Sequence, residues 1–239
     1  MSKHRAHPAR VVGGAEAARS LIGDMSAVYG ESGAQIISAG LIQGARRGLS
    51  ELPFVRQPNI TLNIGILTGD QLGLVDKRVF ADWTRDRILL AFNADACPDE
   101  IAIGMPDAMV HELAHIAHHQ QNPERHNRWT PFSIAITEGI AVYAVGNILA
   151  DVVDYEENID PFGYSREVIR SELVRILEGA YDTASPYDFL LENAELPGIA
   201  YSVGHYVVSL AAFDRELDLR QLMQMPIADF EAFARTELI

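Results

Sequence analysis

Residues 107–120 place His111, Glu112, His115, His118 and His119 in a stretch that no glycine or proline interrupts. His111-Glu112-Leu113-Ala114-His115 has the form H-E-x-x-H. On an α-helix, residues four apart share a face about one turn apart. His111 and His115 can therefore offer two imidazole nitrogens to one ion. Glu112 is offset by about 100°, too far round to complete the same grip easily but able to reach a water held there. Two neutral imidazoles with a carboxylate placed as general base suit zinc. Val110, Leu113, Ala114, Ile116 and Ala117 supply the apolar flanks that a buried helix needs. The bare pattern is short enough to arise by chance, and the competing reading is a histidine-rich surface helix.

Catalytic zinc normally takes three protein ligands and keeps one open position. His118 lies near the same face as His111 but roughly 10 Å along the axis, so it could share the ion only if the helix bent. The metzincin pattern needs a glycine three residues after the second histidine and a histidine six after it. Those positions are His118 and Gln121, and the pattern fails. His118, His119 and His126 read as solvated helix-end and loop residues. The better third ligand is Glu138, the one charged side chain in 132–150, set among Ile134, Ile136, Ile140, Val142 and Val145. A carboxylate buried there unpaired would cost several kcal/mol or take up a proton. A dication removes that cost, and the alternative is a carboxylate at a solvent-facing helix edge. Between the motif and Glu138 lie residues 116–137, enough for a polar loop and a helix running back past the first. Gly139, the next residue, would let those two backbones approach.

The elements that must carry these groups follow from periodicity. Residues 14–29 and 34–49 read as amphipathic helices, the first with Leu21, Met25 and Val28, the second with Ile37, Leu41 and Ala45. Residues 59–67 alternate as a half-buried strand, with Ile60, Leu62, Ile64 and Ile66 on one side. Residues 87–93 form a short apolar strand, and 77–83 a third with a weaker signal. Pro106 suits the first turn of the histidine helix, 107–120. Thr130-Pro131 starts the next helix, with threonine as N-cap. Ser165 begins another, carrying Val168, Leu173 and Ile176, and Ser185-Pro186 a short one. Segments 198–215 and 227–236 are also helical. Residues 139–146 and 198–204 resemble each other, and small side chains that let two helices pack closely explain the likeness.

The expected class is α+β in one domain: a loose tail at 1–13, an α/β lobe over about 14–125 with a small mixed sheet, and a mainly helical lobe over about 126–239. The 239 residues suffice for this. A net charge of −14 argues against nucleic acid and anionic membranes as partners. One cysteine, Cys97, excludes an internal disulfide, and the N-terminal residues lack an apolar secretory stretch. Both favour a cytoplasmic location. Nothing beside Cys97 would activate its thiol.

H-E-L-A-H followed by E-G-I-A-V-Y resembles the gluzincin type of zinc metallopeptidase, in which a glutamate on a second helix is the third ligand. The chain is also similar to bacterial zinc-dependent peptidases of poorly defined substrate, whose later tyrosine-glycine helix is matched by AYSVGHYVV, 200–208. The resemblance spans roughly 58–230 but rests on the two short motifs and their order. It implies a zincin-like fold with an active-site cleft between the lobes and hydrolysis of a peptide or protein substrate. Carried over, His111, His115 and Glu138 are zinc ligands and Glu112 is the base. One position departs: several gluzincins carry an aspartate four residues after the ligand glutamate to support a histidine, and here it is Val142. That support has to come from elsewhere, with a backbone carbonyl as one candidate.

The expected chemistry is attack by an acidified water, with Glu112 accepting its proton and passing it to the leaving amine. Tyr201 and His205, four apart on a helix, are both candidates to donate to the oxyanion. The likeness favours Tyr201, and the bland alternative for each is a packed ring. Strand 87–93, by fold analogy, could pair with an extended substrate. Three rivals stand beside this reading. One is a non-catalytic structural or regulatory zinc protein with a degenerate peptidase fold, although such sites usually close all four positions, often with thiolates. Another is an intramembrane protease, since 132–150 is almost long enough to span a bilayer, with a buried core helix as the simpler account. The last is a different zinc hydrolase or an inactive relic. The acidic stretch 151–160 shows no calcium-loop spacing and reads as a solvated turn.

Overall fold

A computed structural model of the chain describes residues 10–12, 14–56, 58, 60–67, 79–84, 87–123, 130–151, 162–181 and 196–239. His126, Ser185-Pro186 and all of the acidic stretch except Asp151 lie outside the described residues. The class is α+β, mainly helical with a small sheet. The chain divides into two compact units, Met1–Glu51 with Gln57–Ile116, and Leu52–Arg56 with Ala117–Ile239.

The first unit holds a four-stranded mixed sheet. Its strands are β1 (Arg10–Val12), β2 (Thr61–Leu67), β3 (Val79–Thr84) and β4 (Arg87–Asn93), in the order β1-β2-β4-β3. The expectation of a loose tail is corrected at Arg10–Val12, where adjacent valines suit a strand and pair antiparallel with β2. β4 runs parallel to β2 and antiparallel to β3. The idea that 87–93 pairs with a substrate is therefore corrected: β4 is interior and both its edges are taken. Residues directly opposite share a face, so Leu62, Ile88 and Trp83 line up, as do Ile64, Leu90 and Ala81. Ile64, Ile66, Ile88, Leu90 and Phe92 make this the buried face.

Helix α1 (Gly14–Glu51) replaces the two expected helices with one element, interrupted at Gly30. Gly30 has φ 75° and ψ 167°, a conformation open to glycine because it lacks a Cβ. Met25 and Ile37 are buried as expected, whereas Val28 is exposed. The half-buried Tyr29 donates to the Asn93 carbonyl at 2.9 Å, tying α1 to the end of β4. Burial, then the charge of Asp95, pushes this phenol well above its ordinary value. The folded chain holds the proton more tightly than the unfolded one, so this contribution is complete below pH of about 10 and is lost as pH rises further. Tyr29→Phe is expected to flatten the fall of the thermal midpoint between about pH 9.5 and 11. An unchanged alkaline slope would refute this.

Helix α2 (Pro98–Gln121) starts earlier than expected and carries Pro106 in its interior. Pro98 occupies the first position, with Asp99 and Glu100 favourable at the positive end of the helix dipole. Pro106 cannot donate to the Ala102 carbonyl, and that carbonyl meets α1 instead, where a Cβ on Gly40 would stand 2.6 Å from its oxygen. Along the histidine segment Met109, Val110, Glu112 to His115, Ile116, Ala117 and His118 are all buried, so this part of the helix is enclosed on several sides.

In the second unit, α3 (Pro131–Ile148) begins where Thr130-Pro131 predicts, with Thr130 and Ser133 forming a reciprocal capping box. Ser165 caps α4 (Arg166–Leu177), and its Leu173 and Ile176 are buried. On α4 the buried Glu172 accepts from Arg175 at 2.6 Å and from the Tyr181 hydroxyl. Helix α5 (Ile199–Arg215) is followed by α6 (Leu219–Gln224), α7 (Ile227–Phe233) and a π-helical turn, Ala234–Leu238. The sequence reading omits α6, although Asp218 and Gln221 form another capping box. Among the described residues α3 alone is long and apolar enough to cross a membrane, and 61% of that window is buried within the protein. Its closest partner is α5, where Gly139 meets Gly204 with no room for a Cβ on either. The small residues of the two similar segments thus bring two helices together, as expected. The backbone that Gly139 approaches belongs to α5, which corrects the expectation that it approaches the histidine helix.

Candidate metal centre

His111 and His115 lie one turn apart on α2, and their Nε2 atoms are 3.1 Å from each other. Their rings meet edge to face, with centroids 4.7 Å apart. His115 is buried and His111 half-buried. Glu138, in the second turn of α3 and half-buried, completes the group. One ligand atom from each of the three residues lies within 4.8 Å of the other two. These three can bind a metal ion.

The donor set fits a dication. In a tetrahedral centre with metal–nitrogen bonds of about 2.0–2.1 Å, ligand atoms stand roughly 3.3–3.4 Å apart, close to the spacing of the two imidazoles. The carboxylate supplies the anionic partner, and its side-chain torsions allow a small adjustment. Pairing one anion with two neutral nitrogens would leave a bound dication partly uncompensated, and so a strong Lewis acid.

Glu112, on the turn that carries the two histidines, is only 5% exposed. This burial agrees with its apolar flanks, since Leu113, Ala114 and Ile116 are buried as well. His118 is 4% exposed, which corrects its assignment as a solvated helix-end residue. It shares the buried side of α2 with Ala114 and Ala117, and the helix runs on to Gln121. His119 is half-buried.

Tyr201 and His205 sit one turn apart on α5, both half-buried. The Tyr201 ring packs on Phe162, with centroids 5.7 Å apart. The segment bearing Phe162 is tied to the start of α5 where the Tyr164 hydroxyl donates to the Pro197 carbonyl at 2.8 Å. His205 follows Gly204 and Glu138 precedes Gly139, so each adjoins the point where α3 and α5 touch backbone to backbone.

One neighbour of the histidines has no spacing signal in the sequence. The Trp83 ring lies on His115 with centroids 5.4 Å apart and planes inclined by 14°. No spacing rule links residue 83 to residue 115, because the contact depends on how a strand and a helix meet. An aromatic residue in the weakest of the expected strands was the only hint.

No family model matches the chain, and no curated protein or solved structure matches it.

Proposed function

We propose that this chain is a zinc-dependent peptidase of the gluzincin type with a zincin-like fold. The observation that carries the reading is the convergence of His111, His115 and Glu138 within 4.8 Å, beside a buried glutamate on the turn that bears both histidines.

His111, His115 and Glu138 would hold the ion. Zinc bound there would polarise the scissile carbonyl and bring the pKa of a water towards about 7. Glu112 accepts the proton that this water gives up and returns it to the departing amine. Its enclosed position keeps bulk water from competing for that proton. The Tyr201 hydroxyl or an N–H of His205 donates to the oxygen on which negative charge develops. The resemblance supplies the substrate class, a peptide or protein, and the ion is the only cofactor the scheme requires.

Elemental analysis of the purified full chain, after supplementation with zinc, tests the reading. One transition-metal ion per chain is expected. Glu138→Ala is expected to weaken retention by two orders of magnitude or more, because two imidazoles alone make an incomplete site. Hydrolysis of a mixed peptide pool should follow metal content. Wild-type protein without bound metal, or full metal occupancy in Glu138→Ala, would sink the assignment.

A further inference from the structure

We propose that Trp83 is a positioning residue for the metal centre, holding the His115 ring in the plane its ligand nitrogen requires. The inference rests on the metal reading above and extends it to a residue on another element. An imidazole can turn about the bond joining it to Cβ, and its lone pair points at an ion over only a narrow range of that rotation. Ligating histidines are usually held by a hydrogen bond to the second ring nitrogen. In this chain an indole also stacks on the His115 ring.

The geometry suits that role. Centroids 5.4 Å apart and planes within 14° are an offset stack. Turning His115 about its ring bond would drive a ring edge into the indole, so the contact resists the rotation that would swing Nε2 away from His111. The indole has its own anchor. Trp83 pairs with Ile88 across β3 and β4, on the sheet face where Ile88 and Leu90 are fully buried. The face that packs the core thus ends, on its edge strand, in a ring that supports the site. His111 also meets His115 with the ring planes nearly perpendicular, so the His115 ring touches both the indole and a second imidazole.

The test compares Trp83→Phe, Trp83→Leu and Trp83→Ala in the full chain, reading zinc affinity by chelator competition and the visible absorption of the cobalt-loaded protein. Trp83→Phe keeps a flat ring and is expected to stay within about 3-fold of wild type. Trp83→Leu fills the space without a plane and is expected to bind about 10-fold more weakly, at the low end for residues that orient metal ligands, with a shifted cobalt spectrum. Trp83→Ala should be weaker still. Circular dichroism of the metal-free proteins identifies any variant that fails to fold, and the Phe–Leu comparison stands without Trp83→Ala. Equal affinity and identical cobalt spectra in the Phe and Leu variants would overturn the role of Trp83 and leave the metal reading intact. Absence of binding by the wild type would overturn both.

Discussion

On the proposed reading, Glu112→Gln is expected to retain bound zinc and lose hydrolysis, with kcat reduced on the order of 10²–10⁴-fold and KM little changed. The amide has nearly the shape of the carboxylate, so the enclosed position of Glu112 (5% exposed) can accept it without a cavity or an overpacked contact. The substitution removes the capacity to take up a proton at neutral pH. The ligands proposed are His111, His115 and Glu138, and none is altered. An equal loss of kcat and kcat/KM would mark an interaction made only in the transition state. The measurement needs metal content and peptide hydrolysis on the same preparation. Metal loss together with activity loss would make Glu112 a structural partner of the site. Retained turnover at full occupancy would mean that the base is another group.

Gly204→Ala is expected to be among the most destabilising single-methyl additions in the chain. A Cβ at this position would overlap the Ala135 carbonyl oxygen and stand 2.9 Å from the Gly139 nitrogen. These are backbone atoms on a facing helix, so no side-chain torsion relieves the clash and the two helices have to separate. Overpacking usually costs about 1–3 kcal/mol, and this case belongs at or beyond the upper end. For a chain of this size that corresponds to a fall in thermal midpoint of roughly 10 °C. Metal affinity should fall as well, because Glu138 adjoins the displaced Gly139. Gly146→Ala, on the same helix α3, is the control: nothing lies within 4 Å of its Cβ position, and a gain of about 0.4–1 kcal/mol is expected. Matching midpoints for the two variants would show that α3 and α5 do not meet as closely as described.

The features legible in the sequence are those decided by a few neighbouring residues. Thr130-Pro131 and Ser165 mark helix starts because capping is a local hydrogen-bond requirement. The two histidines are found together because four residues make one turn, and Glu138 stands out because a lone charge in an apolar run needs a partner. The start of α2 is not legible, because proline signals a boundary without showing which side it bounds; Pro98 begins the helix and Pro106 lies within it. The burial of His118 is not legible, because a polar ring near a helix end reads as solvated and enclosure depends on residues that sequence spacing does not name. The interior place of β4 depends on strand order, which alternation along a single strand does not encode. Trp83 on His115 belongs to the same class of long-range facts.

The break at Gly30 has a consequence for how α1 comes apart. Helical order spreads cheaply from turn to turn but is costly to nucleate, so unwinding from the N-terminal side should run quickly to a residue that already departs from the spiral and halt there. Beyond it Gly33, Gly40 and Gly44 lie against Pro98, Ala102 and Pro106, an interface that does not depend on the preceding turns. Gly30 would then act as a firebreak: once the contacts of Met25 and Tyr29 open, the leading rod can exchange its amides with solvent while the trailing rod stays braced against the helix that carries the imidazoles.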